Sequence, residues 1–190
     1  MTGIIILAAG ESARLGRPKQ LLPWGDADLL ARATKAALDA QVGPVVVVLG
    51  AVDCRESLEG MPVTVVLNEK WASGMGGSIV SGMKVLQQDS LDSVIVMLCD
   101  QPFVTTTVLR NLVDQRSKSD CEVVVSGHAD VLGPPVLFSS SRFAQLMKLD
   151  GLDGAKSIIR NESSLAVLDC PESAVDVDTA ADWEAIAGKF

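Results

Sequence analysis

The chain is expected to fold as an α/β protein of three layers, with helices on both faces of a mostly parallel sheet. Three observations predict this. Short runs of Val, Ile and Leu without polar alternation recur along the chain, as strands buried on both faces require. Segments with helical apolar spacing separate them. The 190 residues, 48% of them hydrophobic, are enough for one domain spanning 1–190 with a substantial core.

Taken in order, strands are expected at Gly3 to Ala8, Val45 to Leu49, Val63 to Leu67, Ser93 to Leu98 and Glu122 to Ser126. Asp26 or Asp28 is placed to cap a helix running to about Ala40, whose Leu29, Leu30, Ala33, Ala37 and Leu38 share a face. Ser78 to Gln88 and Thr105 to Ser117 read as further helices, capped by Ser78 and by one of Thr105 to Thr107. Gly133-Pro134-Pro135 breaks the chain before a short apolar run, Val136-Leu137-Phe138. A helix over Ser140 to Leu149, a turn at Gly151 to Gly154, a helix over Ala155 to Arg160, a strand at Leu165 to Leu168 and a capped helix over Thr179 to Ala187 complete the reading.

Composition narrows the function. A net charge of −8 argues against general nucleic-acid binding. No apolar run approaches the roughly 20 residues that span a bilayer. Met1-Thr2-Gly3 offers no basic region before Ile4, so a cytoplasmic location is expected. Cys54, Cys99, Cys121 and Cys170 are dispersed and form no Cys-x-x-Cys pair, which points to reduced thiols and not to zinc. Charge is unevenly spread: residues 1–25 carry Arg14, Arg17 and Lys19 against Glu11 alone, whereas residues 150–190 carry nine acids and three bases. Cations that converge on one loop can bind an anion whatever the net charge.

Those cations follow the first strand, in Leu7-Ala8-Ala9-Gly10-Glu11-Ser12-Ala13-Arg14-Leu15-Gly16-Arg17-Pro18-Lys19. A buried strand feeding a Gly- and Ser-containing turn presents backbone N–H groups to an anion, and Arg and Lys can hold polyphosphate oxygens. The two common phosphate loops are absent. The glycines fall at 10 and 16 and not as G-x-G-x-x-G, and Lys19 is followed by Gln20 where a Walker loop needs Ser or Thr. A second loop, Asn68-x-x-Trp71-x-x-Gly74-Met75-Gly76-Gly77-Ser78, crowds glycines where backbone is expected to approach a ligand. Asp100, in Leu98-Cys99-Asp100-Gln101-Pro102, ends an apolar strand, where a carboxylate is either a helix cap or a hard-cation ligand; the ligand role is favoured. Asp176-Val177-Asp178-Thr179-x-x-Asp182 has the form of a helix cap. His128 has no partner for a catalytic triad and reads as structural or as a surface residue; Trp24 and Trp71 read as packing at least as well as stacking platforms.

The ordered motif Leu7-Ala8-Ala9-Gly10-x-Ser12-x-Arg14-x-Gly16-x-x-Lys19-x-Leu21-Leu22-Pro23 resembles the signature of the MobA-like nucleotidyltransferase family. Ala8-Ala9-Gly10 and Lys19-Gln20-Leu21-Leu22-Pro23 are most similar to its molybdenum cofactor cytidylyltransferases. The resemblance spans Leu7 to Asp182. It implies a Rossmann-like nucleotidyltransferase fold and the transfer of CMP from CTP to the phosphate of Mo-molybdopterin, with Mg²⁺ as cofactor. It also implies that Leu7 and the Ala8 to Ser12 backbone meet the nucleotide, that Arg14 and Lys19 hold the triphosphate, and that Asn68, Gly77 and Ser78 lie at the base. Asp100 and Asp178, with Asp176 beside it, are implied as metal ligands. Gly133, Pro134, Asp153 and Lys156 are implied on the pterin side, although Asp150-Gly151-Leu152-Asp153-Gly154 departs from the usual Gly-Asp-x-Gly order. A molybdoenzyme client or its chaperone is an implied partner. The alternatives are a guanylyltransferase, a transferase for another phosphorylated acceptor, a nicotinamide-nucleotide oxidoreductase, and a non-catalytic cofactor carrier. Ala9 stands where guanylyltransferases of the family place a glycine, and no acid falls in Val45 to Leu49 to bind a ribose.

Overall fold

The computed structural model describes residues 1–87 and 90–188. Seven strands form one sheet: β1 (Thr2–Ala8), β2 (Val45–Leu49), β3 (Thr64–Leu67), β4 (Ser93–Leu98), β5 (Val123–His128), β6 (Val131–Ser139) and β7 (Leu165–Asp169). Their order is β3-β2-β1-β4-β6-β5-β7. Every neighbouring pair is parallel except those made by β6, which runs antiparallel to β4 and β5. This is the expected three-layer, mostly parallel α/β architecture, and β1 and β4 sit side by side at its centre.

The helices follow from the apolar spacing. On one face, α1 (Leu29–Ala40) and α3 (Thr106–Lys118) bury Leu30, Ala33, Ala37, Val108, Leu109 and Leu112 against Ile4, Ile6, Val47 and Ile95. On the other, α2 (Met75–Leu86) and α4 (Phe143–Leu146) bury Ile79, Met83, Leu86 and Leu146 against Ile5, Val46, Val94 and Phe138. Alternate residues of each strand therefore serve opposite layers. Asp28, and not Asp26, caps α1, accepting from the N–H of Ala31 at 2.8 Å. A short α5 (Lys156–Arg160) follows the Gly151 turn. The terminal α6 (Ala180–Ile186) opens with a capping box between Thr179 and Asp182.

Several expectations are corrected. Helix α2 begins at Met75, three residues before Ser78, so Ser78 is no cap; the cap position belongs to Gly74. Gln88, the expected end of that helix, lies outside the described residues, as do Asp89, Lys189 and Phe190. The expected helix from Ser140 to Leu149 is a turn of 3₁₀ helix followed by four α-helical residues. Gly133-Pro134-Pro135 lies inside β6 and does not precede it. Proline removes a ladder donor and is rare within a sheet. Here the register shifts so that Val125 pairs with Val136 and Ser126 with Gly133, leaving both prolines outside the ladder. Their carbonyls are still used: Pro134 O accepts from Gln101 Nε2 at 2.9 Å and Pro135 O from Ser126 Oγ at 2.7 Å. Among the described residues, no helix is long and apolar enough to cross a membrane.

Candidate functional site

The site forms where β1 and β4 end, beyond their carboxyl ends, as expected for an open α/β sheet. The loop after β1 is held from inside by a residue that the motif alone does not mark. Gln20 is fully buried, and its Nε2 donates to the carbonyls of Ala8 and Gly10, both at 2.8 Å. Each peptide plane sets its N–H opposite its C=O, so pinning these carbonyls also fixes the amides of Ala9 and Glu11. Ser12, in a left-handed conformation with φ of 61°, places its Oγ to accept from the Lys19 N–H at 3.0 Å. Ser12 is thereby committed to the loop's own geometry. Gly16, with φ of 74°, completes a turn closed by its N–H on Ser12 O at 3.1 Å.

The far end of the chain reaches this loop through packing. Val177, Trp183 and Ile186 form a small core with Leu15, Leu22 and Leu29. The Val177 N–H donates to Asp100 O at 3.0 Å, tying the Asp176–Asp178 segment to the end of β4. The structure thus brings together Arg14, Lys19, Asp100 and Asp178, four candidates spread over 164 residues. Lys19 Nζ donates to Asp100 Oδ2 and, at 2.9 Å, to Asp178 Oδ1. Arg14 Nη2 donates to Asp178 Oδ2 at 2.7 Å.

Electrostatics follow from this packing. Burial opposes the charge on Lys19, but Asp100 and then Asp178 hold its ammonium above the ordinary lysine range. Burial likewise opposes ionisation of Asp178, yet Lys19 and then Arg14 hold its carboxyl below its ordinary value. Asp176 has the reverse environment. Desolvation, with the nearby Asp100 charge next, pushes it up to about 6, although its outer edge is exposed. Asp100 Oδ1 is buried with no hydrogen-bond partner among the described residues. Cys99 beside it is a packing residue: burial, then the Asp100 charge, pushes its thiol far above the ordinary range. All four cysteines are free and buried.

Two cavities meet at this cluster. One, of about 370 Å³, is lined by Leu7, Ala8, Ala9 and Gly10 from the first loop and by Trp71 and Ser78 from the second. The other, of about 570 Å³, has an apolar floor that includes Val96, Val136 and Phe138, and it is bordered by Gly133, Pro134, Asp153 and Lys156. Lys19 and Asp100 line both, as do Met75 and Leu152. Asn68 and Gly77 stand behind the first cavity. Asn68 is buried, and its Nδ2 donates to Ser78 Oγ at 3.0 Å, which fixes the Ser78 hydroxyl. Two glycines of this segment, Gly74 and Gly76, are required by the chain's own packing. A Cβ at Gly74 would lie 2.2 Å from Gly151 O and one at Gly76 would lie 2.7 Å from Asp150 O, whereas Gly77 has room for one. The helix start and the 150–154 turn are backbone against backbone, joined by the Gly76 N–H on Gly151 O at 3.1 Å. His128, half-exposed, lies on the rim of the larger cavity, 3.6 Å from Asp169.

Residues 4–167 match the model of the MobA-like NTP transferase domain. The chain belongs to the MobA-like NTP transferase family. The chain is 35% identical to nicotine blue oxidoreductase of Paenarthrobacter nicotinovorans, over 94% of this chain and 92% of that one. It is 31% identical to a probable molybdenum cofactor guanylyltransferase of Bacillus mycoides, over 63% of this chain and 59% of that one. A crystal structure of Rv0371c from Mycobacterium tuberculosis H37Rv in complex with manganese superposes with a TM-score of 0.79 at 27% identity, covering 100% of this chain and 99% of that one.

Proposed function

We propose that this MobA-like NTP transferase moves CMP from CTP to the terminal phosphate of Mo-molybdopterin, forming molybdopterin cytosine dinucleotide and pyrophosphate. The observation that carries the proposal is the junction of two cavities at Lys19 and Asp100, with Arg14 and Asp178 beside them. A transfer between two substrates needs two compartments that open on one charged point.

In this reading the smaller cavity takes the nucleotide. The backbone from Ala8 to Gly10, held by Gln20, lies along base and phosphates, and Ser78 faces the base. Ala9 on the cavity wall replaces the glycine of guanylyltransferases and favours CTP. The larger cavity takes the acceptor, with Lys156 reaching its phosphate. An oxygen of that phosphate attacks the α-phosphorus, the bond from the α-phosphorus to the oxygen bridging the β-phosphorus breaks, and pyrophosphate leaves. Arg14 and Lys19 stabilise the charge that grows on the leaving group. A phosphate nucleophile is already ionised near neutral pH, so no general base is required and His128 has no part in the step.

The residues fit a hard divalent cation. Asp100 offers a buried, unpartnered Oδ1, and Asp178 adds a second carboxylate. Among the described residues no cluster of three or more His, Cys, Asp or Glu could hold a metal. Two carboxylates completed by substrate phosphates and water is how Mg²⁺ is commonly held. When bound there, Mg²⁺ supplies positive charge to the phosphate oxygens. The manganese in the mycobacterial relative supports a divalent cation, and the Bacillus mycoides relative supports a molybdenum cofactor acceptor.

The test is to incubate the protein with Mg²⁺, molybdopterin charged with molybdenum, and either CTP or GTP, and to measure pyrophosphate. Release with CTP well above GTP is expected; the reverse would make it a guanylyltransferase. A second reading is favoured by the 35% identity to nicotine blue oxidoreductase: a redox enzyme using the same cleft. Consumption of reduced nicotinamide nucleotide with a planar dye acceptor, and no pyrophosphate from either triphosphate, would select it.

A further inference from the structure

We infer that Lys19 is a latch on the metal site: its ammonium holds the Asp100 and Asp178 carboxylates together until a nucleotide draws it away, so that metal and nucleotide bind only as a pair. The inference rests on the proposal above that these carboxylates are metal ligands.

Lys19 Nζ donates to both carboxylates, and Arg14 takes the remaining oxygen of Asp178. Of the four carboxylate oxygens, only Asp100 Oδ1 is left without a partner among the described residues, and it is buried. Lys19 and Arg14 therefore already pair both carboxylates. A divalent cation arriving alone would face an ammonium group in its own place, in a site where the Lys19 and Asp100 side chains are 17% and 8% exposed and water screens little. A triphosphate changes the balance. It offers Lys19 and Arg14 new anionic partners, and their departure from the carboxylates frees three oxygens beside the unpartnered Asp100 Oδ1. Cation and triphosphate thus exchange partners with the protein, and neither exchange is complete without the other.

The ammonium has a second effect that follows from the same contacts. Asp100 lies two residues beyond the end of β4, whereas Asp178 belongs to the segment before α6. Bridging them keeps two repelling carboxylates close in the unliganded protein, so the metal site is preassembled.

The test measures metal binding without turnover, by electron paramagnetic resonance of Mn²⁺ titrated into the full chain with and without CTP. Wild type is expected to bind Mn²⁺ weakly alone and far more tightly with CTP. Lys19→Met, and independently Lys19→Gln, are expected to bind Mn²⁺ alone about tenfold or more tightly than wild type, with the gain from CTP largely lost. Equal or weaker Mn²⁺ binding in both variants would overturn the latch. A measurement on the wild type covers the case in which the variants misfold: the NMR signal of the Lys19 ε-methylene should hold under Mg²⁺ alone and move with Mg²⁺ plus CTP. Movement under Mg²⁺ alone would also overturn it. Failure to bind Mn²⁺ even with CTP or GTP would instead remove the metal-ligand reading on which the latch rests.

Discussion

The two cavities that meet at Lys19 are held by different means. The smaller is walled by backbone fixed from within: fully buried Gln20 grips two carbonyls, and Asn68 grips Ser78. The larger has the sheet for a floor, but its rim carries apolar side chains in solvent, with Val131 68% and Leu132 44% exposed. Polar contacts on one side set a fixed outline, as suits a nucleotide whose shape hardly varies. On the other side, apolar groups stand exposed, as is common where a second molecule binds. Under the proposed function, specificity for the nucleotide is built into the folded chain, whereas specificity for the acceptor is completed on binding.

The first way to break this contrast is at Gln20. Gln20→Met keeps the length but leaves the carbonyls of Ala8 and Gly10 without their donor. The variant is expected to lose about 1–3 kcal/mol of stability in urea unfolding. Its KM for nucleotide should rise while the KM for acceptor holds; a rise in both would mean that the loop serves the two sides alike. Next is the seam between the sides. Alanine is normally the better helix former by about 1 kcal/mol, but at Gly76 its Cβ meets the Asp150 carbonyl. Gly76→Ala is therefore expected to destabilise by about 1–3 kcal/mol and to raise both KM values, since α2 and the 150–154 turn must part.

Val131 probes the larger cavity from the opposite direction. Because the side chain is exposed and lines the larger cavity alone, Val131→Ala should leave stability within about 0.5 kcal/mol of wild type while raising the KM for acceptor several-fold. A large loss of stability would show that the rim is structural. The smallest effect is at Asp176. Its carboxyl is raised from the ordinary 3.8 to about 6 in the fold, so the native state holds this proton more tightly than the unfolded chain does. The stability it contributes is complete below about pH 4 and is lost as the pH rises through about 6. Asp176→Asn removes that loss, and thermal unfolding should show a flatter profile between those pH values, damped by the exposed outer edge of the side chain.

Much of this was legible in the sequence, for reasons that differ by residue. Buried parallel strands announce themselves as Val and Ile runs, so β1, β2 and β4 are plain to read. The cations of the first loop and the isolated Asp100 stand out because charge at a strand end needs a partner. Strand β6 was not legible beyond its last residues, since Gly133-Pro134-Pro135 looks like a breaker and only the bulge opposite Val125 and Ser126 accommodates it. Ser78 looks like a cap because glycines precede it; what decides the helix start is the packing of Gly74 and Gly76 on the 150–154 turn, a contact between distant segments. Gln20 carries no charge and no spacing signal, and its two carbonyl partners exist only once the loop has folded back. Asp178 was readable as a cap or a ligand; the small core of Val177, Trp183 and Leu15 is what carries it to Lys19.

In the proposed function, two substrates react across the Lys19, Asp100 and Asp178 cluster. The most direct measurement is the rate of pyrophosphate release with CTP, Mg²⁺ and molybdenum-charged molybdopterin, for wild type and for Asp100→Asn. Release that requires both substrates in the wild type, and falls by about 10²–10³-fold in the variant with its fold intact, is the predicted result. Release at the wild-type rate from Asp100→Asn would contradict the claim.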